Sequence, residues 1–364
     1  MSLTALPNDC LLACLARAPY ADLRNGLPST CKSIRDAVAS PAFRKTREAA
    51  GYVEVAAFTF DWRNTLTAPC LIQASGAYCT ALAPTVRQDW HLTRLSSGRG
   101  DEIVLLQTYP EIRADAFHPL QNRWRELAPP GIGDGMATCE WFRDGVDEWA
   151  TVCGLGSTIM VIGGDVEPSI SIDVYWEDTW SRRPDFPLCE PGECYSKAIE
   201  VDGRLWLYAL DGPHSDDSPH LQETFVYDPA TQTWTAGPRL PHELYDEGGV
   251  HWHLTAFELR KRFCLMGLFQ RTPEDVSYLA FVWDPIREAW DEAPFPVPPV
   301  LALRGDSIDN HLFVSGHVDS SDPTGPISTT RLFVLRPDSR DWEEWSIPDA
   351  LRDGGLYITA VRLG

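Results

Sequence analysis

Two related stretches decide the fold of this chain. They are Phe225-Val226-Tyr227-Asp228-Pro229-Ala230-Thr231-Gln232-Thr233-Trp234 and Phe281-Val282-Trp283-Asp284-Pro285-Ile286-Arg287-Glu288-Ala289-Trp290. Each starts with apolar residues, passes through an Asp-Pro pair and reaches a tryptophan five residues after the proline. Proline fixes φ at the first corner of a turn, and the preceding aspartate can accept backbone hydrogen bonds across it. Each stretch therefore predicts a strand, a tight turn and a second strand that starts at the tryptophan.

The same pattern recurs along the chain. Pro119 to Trp124 and Pro337 to Trp342 keep the spacing, and weaker copies end at Trp180 and Trp90. The six tryptophans are separated by 34, 56, 54, 56 and 52 residues. A repeat of about 50 residues with strand-turn-strand content is typical of a propeller built from kelch-type blades. Because one blade cannot bury both faces of its sheet, we predict a mainly β fold in which six blades stack around an axis.

The blades can be placed approximately from the strands between these turns. We expect the first blade at residues 68–92 and the second at 103–127, and the third contains the apolar run Ile159–Gly164. A ring whose first and last blades stay unjoined would expose two strand edges. We therefore predict that Leu356–Leu363 pairs within the first blade, beside a strand at 53–60. The alternative is an ordinary strand of the sixth blade.

The first 50 residues follow a different periodicity. Apolar residues recur at helical spacing around Leu11 and again around Ile34, Pro19 ends the first helix, and Ser40-Pro41 begins another. We therefore divide the chain into a helical domain at 1–50 and a β domain at 51–364. So short a helical segment leaves apolar side chains to be covered by a partner or by the next domain. Periodicity leaves both options open.

These helices resemble an F-box, and the whole chain resembles plant F-box/kelch-repeat proteins. The resemblance rests on Leu6-Pro7, Leu11 to Leu15, Leu23-Arg24, Cys31-Lys32-Ser33 and the following Ser40 to Arg47. It implies a small all-α F-box in front of a six-bladed kelch-type β-propeller. It also implies binding to a Skp-family adaptor and through it to a cullin. By this resemblance, the adaptor-binding residues are Leu6, Pro7, Leu11, Leu12, Leu15, Pro19, Leu23 and Leu27.

Net charge and composition exclude some classes of binding partner. Residues 1–50 carry seven Lys/Arg against four Asp/Glu, a net +3, whereas the remainder carries 24 against 48, a net −24. So acidic a body repels phosphate backbones and argues against nucleic acid. No apolar run reaches the roughly 18 residues that a membrane-spanning helix needs. The ten cysteines are scattered without a regular spacing, as reduced thiols of the cytoplasm or nucleus would be.

Loops that follow the second strand of each blade offer a target-binding face. We predict that this face carries Asp165, His214, Asp216, Asp217, Phe269, Arg271, Glu274, Asp275, His317 and Asp319. Its acidic residues would steer a basic protein surface toward it. The competing interpretation is that these polar residues only solvate ordinary loops.

Motifs for catalysis are not found. The chain lacks a nucleophile elbow and a phosphate-binding glycine loop, and the His251 and His253 pair has no further metal ligand at a fixed spacing. We therefore expect no metal, no cofactor and no enzymatic activity. The sequence favours a substrate-recognition subunit of a Skp–cullin–F-box ubiquitin ligase. The alternatives are a kelch interaction scaffold outside such a ligase and, less favoured, a propeller enzyme.

Overall fold

Four short helices precede the sheets. The computed structural model describes residues 6–25, 31–38, 40–52, 54–61, 69–74, 76–79, 93–96, 102–107, 113–119, 122–127, 151–155, 158–164, 169–176, 179–187, 194–211, 224–241, 250–272, 275–319, 328–352 and 356–363. The helices are α1 (Asn8–Leu15), α2 (Tyr20–Asn25), α3 (Lys32–Val38) and α4 (Pro41–Ala49). Helix α4 begins as its sequence predicts, because the Ser40 hydroxyl accepts a hydrogen bond from the Phe43 amide at 3.3 Å.

The described strands form six four-stranded sheets, and every pair of neighbouring strands is antiparallel. The first sheet, in the order β24-β1-β2-β3, contains β1 (Glu54–Asp61), β2 (Cys70–Gln73), β3 (Gly76–Cys79) and β24 (Leu356–Leu363). The second contains β4 (Thr93–Ser96), β5 (Ile103–Gln107), β6 (Arg113–His118) and β7 (Arg123–Leu127). The third contains β8 (Thr151–Leu155), β9 (Thr158–Gly164), β10 (Ser169–Trp176) and β11 (Thr179–Pro187).

The other three sheets follow the chain in the same way. The fourth contains β12 (Cys194–Val201), β13 (Arg204–Asp211), β14 (Thr224–Asp228) and β15 (Thr233–Ala236). The fifth contains β16 (Val250–Leu259), β17 (Arg262–Thr272), β18 (Asp275–Asp284) and β19 (Ala289–Glu292). The sixth contains β20 (Leu301–Ile308), β21 (His311–Asp319), β22 (Ser328–Leu335) and β23 (Glu343–Trp345), and a 3-10 turn at Asp349–Leu351 follows it.

The innermost strand of each sheet contacts the innermost strand of the next sheet. These contacts run from β4 to β8, β12, β16, β20 and β24, and β24 in turn contacts β4. The inner strands therefore surround an axis and the sheets radiate from it, which is the arrangement of a β-propeller. The prediction of a mainly β propeller is confirmed.

The end of the chain closes the first sheet. β24 pairs with β1 along its whole length, from Glu54 opposite Leu363 to Asp61 opposite Leu356. The sixth sheet also binds β24 through Asp306 of β20. The Asp306 carboxylate accepts hydrogen bonds from the Thr359 hydroxyl and the Ala360 amide of β24, both at 2.7 Å. The prediction that the last strand joins the first sheet is confirmed.

The Asp-Pro turns form as their sequence predicts. Oδ1 of Asp228 accepts a hydrogen bond from the Ala230 amide at 2.9 Å, and Oδ1 of Asp284 accepts one from the Ile286 amide at 2.9 Å. A residue with left-handed backbone stands two positions before the tryptophan in three copies. These residues are Asn122 (φ 48°), Gln232 (φ 56°) and Glu288 (φ 50°). The left-handed residue turns the chain back, and the outer strand begins one residue before the tryptophan, not at the tryptophan as predicted. The tryptophan then lies opposite an aromatic residue of the third strand.

Two of the repeated tryptophans also join neighbouring sheets. The Trp290 indole donates a hydrogen bond to the Arg239 carbonyl at 2.7 Å, and the Trp342 indole donates one to the Pro296 carbonyl at 2.5 Å. Both carbonyls lie in the segment that connects the preceding sheet to the tryptophan's own sheet. The spacing from proline to tryptophan therefore places the indole within reach of that connecting segment.

Three details of the predicted blades need correction. The second sheet starts at β4, which the prediction of 103–127 left out. A strand of four residues is too short to show a clear alternation of apolar and polar residues. In the sixth sheet the outer strand begins one residue after Trp342. The first sheet draws β1 and β24 from outside the predicted range of 68–92, and Trp90 of that range lies outside the described residues.

Candidate partner-binding surfaces

The sheets present two opposite ends, which we call the hairpin face and the loop face. Antiparallel order places the first-to-second and third-to-fourth turns at one end of every sheet. This hairpin face includes the left-handed turns Asp202-Gly203, Arg260-Lys261 and Asp309-Asn310. At the opposite end, the loop face, each second strand ends and each third strand begins. The prediction that the loops after the second strands share one face agrees with this order of strands.

Five of the ten predicted target-binding residues lie in strands that reach the loop face. Phe269 and Arg271 lie near the end of β17, Asp275 is the first residue of β18, and His317 and Asp319 lie at the end of β21. The half-buried His317 has its Nδ1 atom 3.2 Å from the Thr330 hydroxyl. The other five, Asp165, His214, Asp216, Asp217 and Glu274, lie outside the described residues. Acidic steering by this face remains a prediction.

The structure buries four members of the predicted adaptor-binding set, and adaptor binding itself remains a prediction. Leu11 and Leu12 are 5% exposed, Leu15 is 2% exposed and Leu23 is fully buried. Their side chains belong to a hydrophobic cluster that also contains Phe58 of the first sheet, together with Phe117 and Trp124 of the second. Of the two options left open by the sequence, the helices pack on the sheets. As these helices are docked, the four leucines have no face for a partner, because the helices and sheets already cover them.

The remaining predicted adaptor-binding residues are placed differently. Leu6 is half-buried against the same cluster, whereas Pro7 and Pro19 are exposed. Leu27 lies outside the described residues. Two exposed prolines and one half-buried leucine are therefore the members of the set that a partner can reach in the docked helices.

A buried charged network, the helix–sheet anchor, holds the helices on the sheets. The fully buried guanidinium of Arg47 donates to the Ala18 carbonyl at 2.6 Å and to Oε1 of Glu54 at 3.0 Å. Glu54 also accepts from the Tyr20 amide at 2.9 Å and from the Gln73 side chain at 2.9 Å. Burial lowers the pKa of Arg47, and the charge of Glu54 opposes that shift.

A second contact fixes α2 on the second sheet. The fully buried Tyr20 hydroxyl donates a hydrogen bond to the Pro119 carbonyl at 2.9 Å, in the turn between β6 and β7. That turn belongs to the hairpin face, so the helices dock at the end of the sheets opposite the loop face. Sequence reasoning missed the anchor. Its one signal is that Arg47 follows Phe43 at i+4, on the apolar stripe of α4.

Helix α1 keeps an exposed stripe of residues, which we call the outer helical face. We define it by Cys10, Cys14 and Arg17, which follow one another along α1 and its end at spacings of four and three residues. Pro7 and Asp9 extend it at the start of the helix. This stripe offers two thiols and charged groups of both signs to a partner.

The thiols of the described cysteines should differ sharply in reactivity. Cys10 and Cys14 are exposed, whereas Cys70, Cys153 and Cys264 are buried. Burial also raises the pKa of the Cys264 thiol to about 12, so very little of the reactive thiolate exists near neutral pH. In a short iodoacetamide pulse followed by peptide mass spectrometry, we expect Cys10 and Cys14 to be modified first. Equal labelling of Cys264 in the folded protein would contradict this burial, and a pulse in denaturant supplies the control.

Charges on the hairpin face are largely paired. Lys261 lies 3.0 Å from Asp202, and Arg287 pairs with both Asp284 and Asp291.

Among the residues that the structure describes, no group of three or more histidine, cysteine, aspartate or glutamate side chains is arranged to hold a metal ion. None of the described helices combines the length and the apolarity that crossing a bilayer requires.

Comparison with known proteins shows a structural likeness to solved structures. No family model and no curated protein matches the chain. A solved structure titled "Structure of YjhT" is 12% identical, with a TM-score of 0.44, and the match covers 71% of this chain and 84% of that chain.

Proposed function

We propose that this protein is the target-binding subunit of a Skp–cullin–F-box ubiquitin ligase. In this proposal the six sheets are the blades of a six-bladed kelch-type propeller, and helices α1 to α4 are its F-box. The F-box-like residues of the sequence support the proposal, and so does the position of those helices at the hairpin face. The chain itself performs no chemistry.

The observation that carries the proposal is the helix–sheet anchor. Arg47 and Glu54 connect the helices to the first sheet through an ion pair in which the Arg47 side chain is fully buried and the Glu54 side chain is 33% exposed. The loop face lies at the other end of the same rigid strands. A subunit that holds a target near a ubiquitin-loaded enzyme gains rate by making attack on the thioester effectively intramolecular. That gain requires a fixed distance between the two binding surfaces, and the anchor supports such a distance.

In the proposed complex the adaptor binds the outer helical face. The four buried leucines keep the helices folded and docked, while Pro7, Cys10, Cys14 and Arg17 contact the adaptor. This assignment replaces the leucine surface that the sequence predicted, because undocking the helices would expose both the leucines and the buried Arg47 charge. The target binds the loop face, where the net charge of −24 on residues 51–364 favours a basic surface.

The decisive experiment is co-purification of the tagged chain with a Skp-family adaptor. We expect the wild-type chain to retain the adaptor and the exposed double variant Cys14→Arg/Arg17→Glu to lose it, with an unchanged melting temperature. Asp338→Arg, an exposed position in the β domain, is the matched control and should retain the adaptor. Leu11→Asp or Leu15→Asp would be a poor test, since a charge at either buried position unfolds the helices themselves. If the folded wild-type chain fails to retain the adaptor, the proposal is wrong.

A second candidate is an interaction scaffold outside any ligase. The burial of four leucines of the helices favours this candidate, because the sheets already cover their apolar side chains. These are Leu11, Leu12, Leu15 and Leu23. Under this candidate the loop face still binds a protein, and the double variant on the outer helical face changes no interaction.

A further inference from the structure

Two exposed cysteines lie about one helical turn apart on α1. Cys10 and Cys14 are separated by four residues and are both exposed. Free cysteine is among the residue types that are most often fully buried. The other described cysteines follow that tendency, since Cys31 is half-buried and three more are buried, namely Cys70, Cys153 and Cys264. Packing therefore gives no reason for the two thiols of α1 to face solvent.

The fold holds these two thiols at a fixed spacing. Leu11, Leu12 and Leu15 of the same helix are buried and tie α1 to the core. The Leu11 amide donates a hydrogen bond to the Pro7 carbonyl at 2.9 Å. The Ala16 amide donates one to the Leu12 carbonyl at 2.8 Å, so the backbone is helical on either side of the pair. Side chains four residues apart on a helix have Cβ atoms about 5–6 Å apart, which makes the two thiols neighbours.

That spacing decides which bridge the pair can accept. A disulfide needs Cβ atoms about 3.5–4.5 Å apart, so a direct S–S bond would require α1 to distort. One thiophilic atom inserted between the two sulfurs spans the longer gap. Within the described ranges, no group of three or more histidine, cysteine, aspartate or glutamate side chains is arranged to hold a metal ion. The pair therefore suits a centre that takes two bonds from protein, whereas structural zinc takes four.

We propose that Cys10 and Cys14 form a two-thiol site that binds one trivalent arsenical carrying a single organic substituent. Two As–S bonds form and the bonds from arsenic to its oxygen break. The oxygen leaves as water with the two thiol protons. Arsenic stays trivalent, so the step needs neither an oxidant nor a reductant. Once one sulfur is bound, the second bond forms within one molecule at a high effective concentration.

The same pair belongs to the outer helical face, so the adduct also regulates what binds there. This part of the inference rests on the proposed function, in which Cys14 and Arg17 contact the adaptor. The organic substituent on arsenic adds bulk at that contact. Treatment with the arsenical should therefore reduce the amount of Skp-family adaptor that co-purifies with the chain.

The test treats the folded wild-type chain with phenylarsine oxide in the presence of excess mercaptoethanol, a monothiol. Small molecules are removed, free thiols are labelled with iodoacetamide, and peptide mass spectrometry reads each cysteine. We expect Cys10 and Cys14 to lose their labelling. Dithiothreitol, which offers two thiols in one molecule, should restore it. Cys10→Ser should leave Cys14 labelled and Cys14→Ser should leave Cys10 labelled, because a single As–S bond is exchanged by the monothiol.

Two control variants separate the spacing from the number of thiols. Cys14→Ser/Arg17→Cys keeps two thiols on the stripe but places them seven residues apart, about 10 Å along a helix, and should lose the protection. Cys189→Ser/Cys194→Ser removes the other closely spaced pair in the sequence and should leave the protection of Cys10 and Cys14 unchanged.

Several results would overturn the inference. Full labelling of Cys10 and Cys14 after treatment would do so, as would protection of Cys14 in Cys10→Ser. Thiols that are blocked before treatment and freed by dithiothreitol would show a disulfide instead. Equal adaptor retention before and after bridging would overturn the regulation. A bridged chain that never retains the adaptor keeps the two-thiol site and removes the proposed function, whereas an unbridged chain that retains the adaptor does the reverse.

Discussion

Deleting residues 356–364 will prevent the propeller from reaching its native state. β24 supplies the only described partner for the inner edge of β1, and eight residue pairs join the two strands. Ala360, Val361 and Leu363 are at most 1% exposed, so the deletion also opens the hydrophobic clusters that they share with the helices and with the sixth sheet. The first sheet would be left with an unpaired strand edge, and such edges promote aggregation.

The measurement is size-exclusion chromatography with near-ultraviolet circular dichroism, a signal that reports the fixed packing of the tryptophans. We expect the truncated chain to elute as aggregate and to lose that signal. Removing Gly364 alone is the matched control and should change neither property. A milder variant, Thr359→Val, removes one of the hydrogen bonds to Asp306 and should cost about 1–3 kcal/mol, because the buried carboxylate loses one of its donors. A truncated monomer with a native spectrum would contradict the closure described above.

Replacing Glu54, the ion-pair partner of the fully buried Arg47, will destabilise the protein. In Glu54→Leu, the fully buried Arg47 loses its carboxylate, and the Tyr20 amide and the Gln73 side chain lose their acceptor. Removing one partner of a fully buried ion pair costs about 3–5 kcal/mol. Because the Glu54 side chain is 33% exposed and Arg47 keeps its hydrogen bond to the Ala18 carbonyl, we expect a loss of about 2–3 kcal/mol here. Urea unfolding followed by tryptophan fluorescence measures this loss. Limited proteolysis should show cleavage in residues 6–50 of the variant at urea concentrations that leave the wild-type chain intact.

A double variant separates charge burial from packing. Arg47→Met/Glu54→Leu removes both charges, so its loss should be smaller than that of Glu54→Leu alone. The matched control is Arg331→Gln, which breaks the exposed pair with Glu344 and should cost at most about 1 kcal/mol. A Glu54→Leu protein as stable as the wild type would show that the anchor does not hold the helices in place.

Local turn chemistry made the sheets predictable from the sequence. Asp228 and Asp284 each precede a proline and accept the backbone hydrogen bonds that close the turn, so the sequence marks the turn without help from the rest of the fold. The pairing of β24 was predictable for a different reason. A closed ring needs its edges joined, and Leu356–Leu363 is the alternating segment left over after the last turn.

The candidate surfaces were less predictable, because they depend on what covers a side chain. Helical periodicity identified Leu11 and Leu15 as apolar-face residues, but the same pattern suits a partner surface and an internal core equally well. The anchor was hidden for a related reason. Arg47 reads as a solvated charge until the fold places Glu54 beside it. β4 was missed because its four residues carry too little pattern to distinguish a strand from a loop.

Pairing of β24 with β1 also affects how the protein folds during its synthesis. About 300 residues separate the two strands in the sequence, and β24 is synthesised after all the other described strands. During synthesis, one edge of β1 stays unpaired until β24 has been made. This unpaired edge makes the nascent chain vulnerable to aggregation and dependent on chaperones. Products of premature termination lack the closing strand and cannot complete the ring. The ring therefore closes only after β24 has been synthesised, and shorter chains without β24 are left exposed to cellular quality control.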